Sequence, residues 1–257
     1  AHLGARQRVD EFRMPRGVAT DGEGVVYALA SGNHRIRRST SAGAVTVLAG
    51  TPESPGAADG PGALALFNSP RAIARDAAGT LYVADTLNHS IRKISPAGAV
   101  TTLAGAAGQP GAADGTGAAA RFNSPQGIGI DGSGTVYVAD TGNNMIRRVT
   151  AQGVVTTLAG TVACGFKDGS PAEARFCVPR GLVVDSSGNV LVADMSNHVV
   201  RRITQQGTVT TVIGDPGQKG IRLGAKPWFL SMPTGVALQS DGELLITDGN
   251  AVLATEG

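Results

Sequence analysis

Three arginines and a glutamine recur at one position of this 257-residue chain: Arg16, Arg71, Gln126 and Arg180 each follow a proline, and Thr234 ends the series after Pro233. The prolines themselves, Pro15, Pro70, Pro125, Pro179 and Pro233, stand 55, 55, 54 and 54 residues apart. A guanidinium presents a planar fork of N–H donors that matches a carboxylate or phosphate. Brought together, such side chains would make an anion site. The competing expectation is that each arginine lies over its own stretch of chain and pairs with a local aspartate or carbonyl.

Other chemistry-bearing residues recur in the same rhythm. Asp85, Asp140, Asp194 and Asp248 each close an apolar run, and Arg37, Arg92, Arg147 and Arg201 each follow an Ile or Val. Residues repeated in every copy are better explained by the copy than by a reaction. The aspartates are expected to accept backbone N–H bonds in the following turn or to pair with the arginines, which would tie neighbouring repeats. His34, His89 and His198 share one turn position, but equivalent turns diverge and would not converge on one ion as a zinc site requires. No His-x-x-x-His, Glu-x-x-His or Gly-x-Ser-x-Gly pattern is present. No catalytic residue, metal ligand or cofactor is therefore assigned.

Two further features stand out from the rhythm. The connection GDPGQKGIRLGAKPWFLSMP departs from the others and carries Lys219, Arg222, Lys226 and the single tryptophan, Trp228. Tryptophan among cations suits an interface hot spot or a base-stacking surface, and suits equally a plug over an imperfect joint. Cys164 and Cys177, the only cysteines, fall in one connection. They are expected to form a disulfide, contributing roughly 3 kcal/mol by loop closure and indicating an oxidising compartment.

What must position these residues is a repeat, clearest in FNSPQGIGIDGSGTVYVADTGNNMIRRVTAQGVVTTLAG from Phe122 to Gly160. Its apolar residues form four short β-rich runs separated by Gly, Asp and Asn. Five copies are visible, at about 12–50, 67–105, 122–160, 176–214 and 230–257, with 1–11 resembling the end of a copy. Four-stranded units of this length without intervening helices make an all-β propeller, each blade covering its neighbour's apolar face. The whole chain, 1–257, is read as one such domain. Asp59, Asp114 and Asp168, each before a glycine in a connection, read as turn residues. The fifth copy lacks an outer strand, which the N-terminal stretch could return to close a five-bladed ring; otherwise the chain is part of a six-bladed propeller. In either ring the innermost strands line the axis, and Arg16, Arg71, Gln126 and Arg180 would meet at one mouth of the channel. Asn88, Asn143, Asn144 and Asn197, with Met145 and Met195, are placed around that mouth as turn residues able to touch a partner.

The pattern F-x-x-P-x-G, D-x-x-G-x-x-Y-V-A-D-T, N-H-x-I-R-R/K and V-T-T-L-A-G resembles the NHL-repeat family, and Asn88-His89 in LNHSIRKI matches its name-giving run. The resemblance implies a six-bladed propeller that binds protein, RNA or ligand, with some relatives enzymes.

Composition is compatible with this: 37 glycines for tight turns and 4% aromatics. A net charge of +2 is too small to argue by itself for nucleic acid. No apolar run is long enough to span a membrane, and the opening AHLGARQR lacks a signal-peptide core. The expected function is a non-catalytic binding scaffold, secreted (extracellular) or periplasmic, recognising a protein, glycan or other anionic ligand at the channel mouth. The alternatives are a lyase or lactonase with an axial metal, an RNA-binding domain, and one domain of a larger surface assembly. The oligomeric state is not legible.

Overall fold

The computed structural model describes residues 12–222 and 228–255. Five antiparallel sheets follow one another along the chain; their meander strands fall inside the five repeats, and two sheets gain a two-residue strand from the connection before them. Each full blade is a meander of an inner, second, third and outer strand. In blade 1 these are Pro15–Thr20, Val26–Ala30, Arg35–Ser39 and Val45–Ala49. In blade 2 they are Pro70–Arg75, Leu81–Asp85, Ser90–Ile94 and Ala99–Gly105. Blade 3 runs Gly127–Ile130, Val136–Asp140, Met145–Val149 and Val154–Gly160, and blade 4 Pro179–Val184, Val190–Asp194, Val199–Ile203 and Val209–Ile213. Blade 5 has Pro233–Leu238, Leu244–Asp248 and Ala251–Ala254. The N-terminal stretch expected to complete it lies outside the described residues. The arrangement is a five-bladed β-propeller.

The second strands explain why the runs are uniformly apolar instead of alternating: Leu81–Asp85, Val136–Asp140 and Val190–Asp194 are buried at every residue, because the sheets of blades 2, 3 and 4 have a neighbour on both faces. Between blades 2 and 3, Tyr82, Ala84 and Ile91 meet Ile128, Val136 and Val138. A one-turn 3-10 segment joins the second and third strands and ends on a left-handed residue, His34, His89, Asn144 or His198. The outer strand then ends close under that turn: a Cβ on Gly105, at φ +92°, would sit 2.5 Å from the carbonyl oxygen of His89, so glycine is required there.

The inner strands pack in succession from blade 1 to blade 5, while those of blades 5 and 1 do not pack closely on each other. Exposure shows the same seam. Val18 is 64% exposed, whereas Ile73 and Ile128 at the equivalent positions are 6% exposed. On the facing side, Val252 is 69% exposed where Ile91 is fully buried.

The irregular connection before blade 5 turns out to keep the bonding frame of the others. Gly220 N–H donates to Leu230 O as Gly56 does to Phe67 O and Gly111 to Phe122 O. Trp228 packs on the apolar cluster between blades 4 and 5. Arg222 stacks on Phe229, 5.4 Å from the ring centroid. Lys226 lies outside the described residues. Cys164 and Cys177 form a disulfide.

Candidate functional site

The channel mouth is assembled by contacts that cross from blade to blade. Thr86 Oγ1, in the turn after the second strand of blade 2, donates to Pro125 O at 2.7 Å, and Thr141 Oγ1 donates to Pro179 O at 2.7 Å. Ser31 Oγ donates likewise to Pro70 O. The residue before each proline is gripped too: Ser69 N–H donates to His34 Nδ1 and Ser124 N–H to His89 Nδ1, each at 3.0 Å, and Val178 N–H donates to Asn144 Oδ1 at 2.9 Å. Pro70, Pro125 and Pro179 are thus fixed by the preceding blade. Immediately after it the pairing of the inner strand shifts, between Pro15 and Val18, Pro70 and Ala72, and Pro179 and Leu182. A bulge of this kind re-aims a side chain, here Arg16, Arg71 and Arg180.

The sequence-predicted residues do converge. Arg16, Arg71, Gln126, Arg180 and Thr234 line one cavity of about 420 Å³ on the axis, with Val18, Ile73, Ile128, Leu182 and Val236 deeper along the same strands. Arg71 Nη1 donates to Gln126 Oε1 at 2.9 Å. Arg16 and Arg180 make no hydrogen bond or ion pair with a described residue, and Arg180 Nε is buried without an acceptor. Burial, followed by the charges of Arg16 and Arg180, holds the Arg71 guanidinium below its usual pKa. Arg180 is lowered by burial and then by Arg16. The three cations therefore face one another in a half-buried space with no carboxylate among the lining residues, which is an electrostatic cost that an anion relieves.

The asparagines play a different part. Asn143 is 6% exposed, and its Nδ2 donates to Gly111 O at 2.6 Å and Asp140 Oδ2 at 2.8 Å. Asn144 spends Oδ1 on Val178 N–H and Nδ2 on Val162 O. Both amides bond the protein's own backbone, Asn143 from a buried position and Asn144 from a partly exposed one. Asn88 likewise donates to Gly56 O and Asp85 Oδ2.

The recurrent charges form one buried device in each of blades 2, 3 and 4. Arg147, fully buried, donates to Asp140 Oδ2 at 2.9 Å and to Asp114 Oδ1 at 2.7 Å, and its guanidinium lies over Phe122 at 5.3 Å. Arg92 and Arg201 repeat this with Asp85 and Asp59, and with Asp194 and Asp168. The aspartate–arginine pairing matches expectation, with two corrections. The backbone N–H bound by Asp85 comes from Asn68, ahead of the blade, not from the following turn. The arginines tie each blade to its own incoming connection, not to the next blade, since Arg92 also donates to Leu66 O and Ala58 O. Asp59, Asp114 and Asp168 are partners in this network as well as turn residues. Burial pushes Asp85, Asp140 and Asp194 up to about 6 against the pull of these bonds. Among the described residues no group of three or more His, Cys, Asp or Glu could hold a metal ion.

The family model for the teneurin NHL domain matches residues 108–164, and that for the NHL repeat matches 176–203. Over these residues the chain is similar to the NHL-repeat family, in line with the resemblance its recurrent motif carries. It is 36% identical over 135 residues to protein SUPPRESSOR OF QUENCHING 1, chloroplastic, of Arabidopsis thaliana, covering 48% of this chain and 12% of that one. It is 33% identical over 144 residues to human NHL repeat-containing protein 2, covering 52% of this chain and 20% of that protein. The matched stretch spans a fifth or less of the length of each of these relatives. Among solved structures, an auxiliary nutrient binding protein from Bacteroides thetaiotaomicron superposes with a TM-score of 0.68 at 18% identity, over 91% of this chain and 56% of that one. A virginiamycin B lyase from Staphylococcus aureus gives 0.63 at 15% identity, over 96% and 71%. A binding protein and an enzyme share the fold about equally, so function rests on the site.

Proposed function

We propose that this NHL propeller is a non-catalytic binding module, secreted or periplasmic within a larger protein, that holds an anionic group of its ligand or partner at the channel mouth. The observation that carries the reading is the cluster of Arg16, Arg71 and Arg180, brought together by three different blades and left without an internal carboxylate. Arg92 and Arg147 are each paired with aspartates, whereas none of these three has a carboxylate partner among the lining residues. The lining residues also include no Asp, Glu or His, so the cavity offers no group of that kind to move a proton, which favours binding over lyase chemistry. The Cys164–Cys177 disulfide supports an oxidising compartment.

Titration with succinate and with inorganic phosphate, followed by calorimetry at low and high salt, tests it. Binding is expected in the wild type, weakening as salt rises. The Arg71→Gln/Arg180→Gln variant is expected to lose at least about tenfold in affinity, since each charged hydrogen bond contributes roughly 1.5–3 kcal/mol. Equal affinity in that variant would refute the assignment.

A further inference from the structure

We infer that the anion held at the channel mouth is the head group of a small amphiphile, whose apolar body lies along the axis beneath the arginines. This rests on the anion-binding reading and specifies its ligand.

The inner strands carry two levels of side chains into the cavity. Arg16, Arg71, Gln126, Arg180 and Thr234 form the first, and two residues further on Val18, Ile73, Ile128, Leu182 and Val236 form the second. Two residues of extended chain separate the levels by roughly 6.6 Å. A bare inorganic anion would satisfy only the first and leave the aliphatic level wet.

The second level is also unevenly covered. Ile73, Ile128 and Leu182 are 6–7% exposed, largely shielded by neighbouring blades, while Val18 is 64% exposed at the seam between blades 1 and 5. Ala237 and Thr247 of blade 5 line the same cavity and are exposed. The space beneath the arginines therefore widens towards the seam, and its walls there are an uncovered valine, an alanine and a threonine. Apolar walls with a few convergent polar groups are the usual make-up of a small-molecule site. The 420 Å³ available lies at the lower end of the range for such sites and is too small for folded polypeptide. A carboxylate or phosphate monoester carrying a short chain or a single ring suits both levels.

Two probe series test this by calorimetry on the wild-type chain: acetate, butyrate and hexanoate, and inorganic phosphate against hexyl phosphate. Affinity is expected to rise roughly two- to fourfold per methylene, as burial of each group predicts. Val18→Ser, at an exposed position that thermal unfolding can show to be folded, is expected to flatten that rise, read as the slope of affinity against chain length. Short and long probes binding equally would overturn the amphiphile and leave the anion site standing. No binding by any probe would overturn both.

Discussion

Arg147 meets the incoming connection, the second strand and the aromatic floor of its blade with one side chain. Its replacement by Met would keep much of the volume and strand Asp140, fully buried, without its cation. Removing one member of a buried pair costs about 3–5 kcal/mol, so the urea midpoint of Arg147→Met is expected to fall far more than that of Arg148→Met, whose side chain is exposed. The left-handed turn residue gives a second test. Burial holds His34 and His89 below the usual histidine pKa, and their neutral Nδ1 accepts the Ser69 and Ser124 N–H bonds. Unfolded histidines then bind protons more readily than folded ones, so this contribution is complete above about 6.5 and is lost as pH falls below it towards the folded value. Asn144 makes the same bond without titrating. The His34→Asn/His89→Asn variant should therefore lose less stability than wild type between pH 7 and 5, measured by chemical denaturation. Asp85 and Asp140, raised to about 6, act with the opposite sign, but they are common to both proteins and cancel in the difference.

The connections differ in how they are fastened. In blades 2 and 3 a two-residue strand, Gly60–Pro61 or Gly115–Thr116, pairs with the outer strand, whereas before blade 4 only the Gly169–Val209 bridge remains and the disulfide reinforces the loop. Serine at both Cys164 and Cys177 is expected to cost about 3 kcal/mol for a closed loop of this length, and reductant should lower the wild-type melting temperature but leave the variant's unchanged. At this scale the strands were legible, because short β-rich runs between glycines at a fixed period have few other solutions. The role of Asp114 was not: its partners Arg147 and Thr157 lie 33 and 43 residues away, and beside a glycine it looks like an ordinary turn. Nor was the fastening of Thr86 and Thr141 to the next blade's proline, although the threonine belongs to the recurrent Asp-Thr motif. In the fifth connection the residue types changed while the Gly220–Leu230 and Arg222–Phe229 backbone bonds persisted, so a pattern of side chains could not reveal it.

For the whole molecule, the convergence of Arg16, Arg71 and Arg180 was readable from spacing alone, since a period of one blade places equivalent residues around one axis. Whether they would pair locally was not readable, because that depends on the bulge after each proline. The seam was hidden as well: Val18 and Val252 are as apolar as Ile73 and Ile91, and only the absence of a covering face separates them. That seam has a consequence for dynamics. A ring loosely joined at one point is, for cooperativity, an open chain of five units, each stabilised by nearest neighbours. Its ends have one good neighbour and its middle has two. Opening should therefore begin at blades 1 and 5 and travel inward, so that hydrogen exchange is slowest for the second and third strands of blade 3 and progressively faster on either side. Uniform protection across the five blades would mean instead that the molecule opens all at once, and that the exposed valines mark a joint sealed by something else.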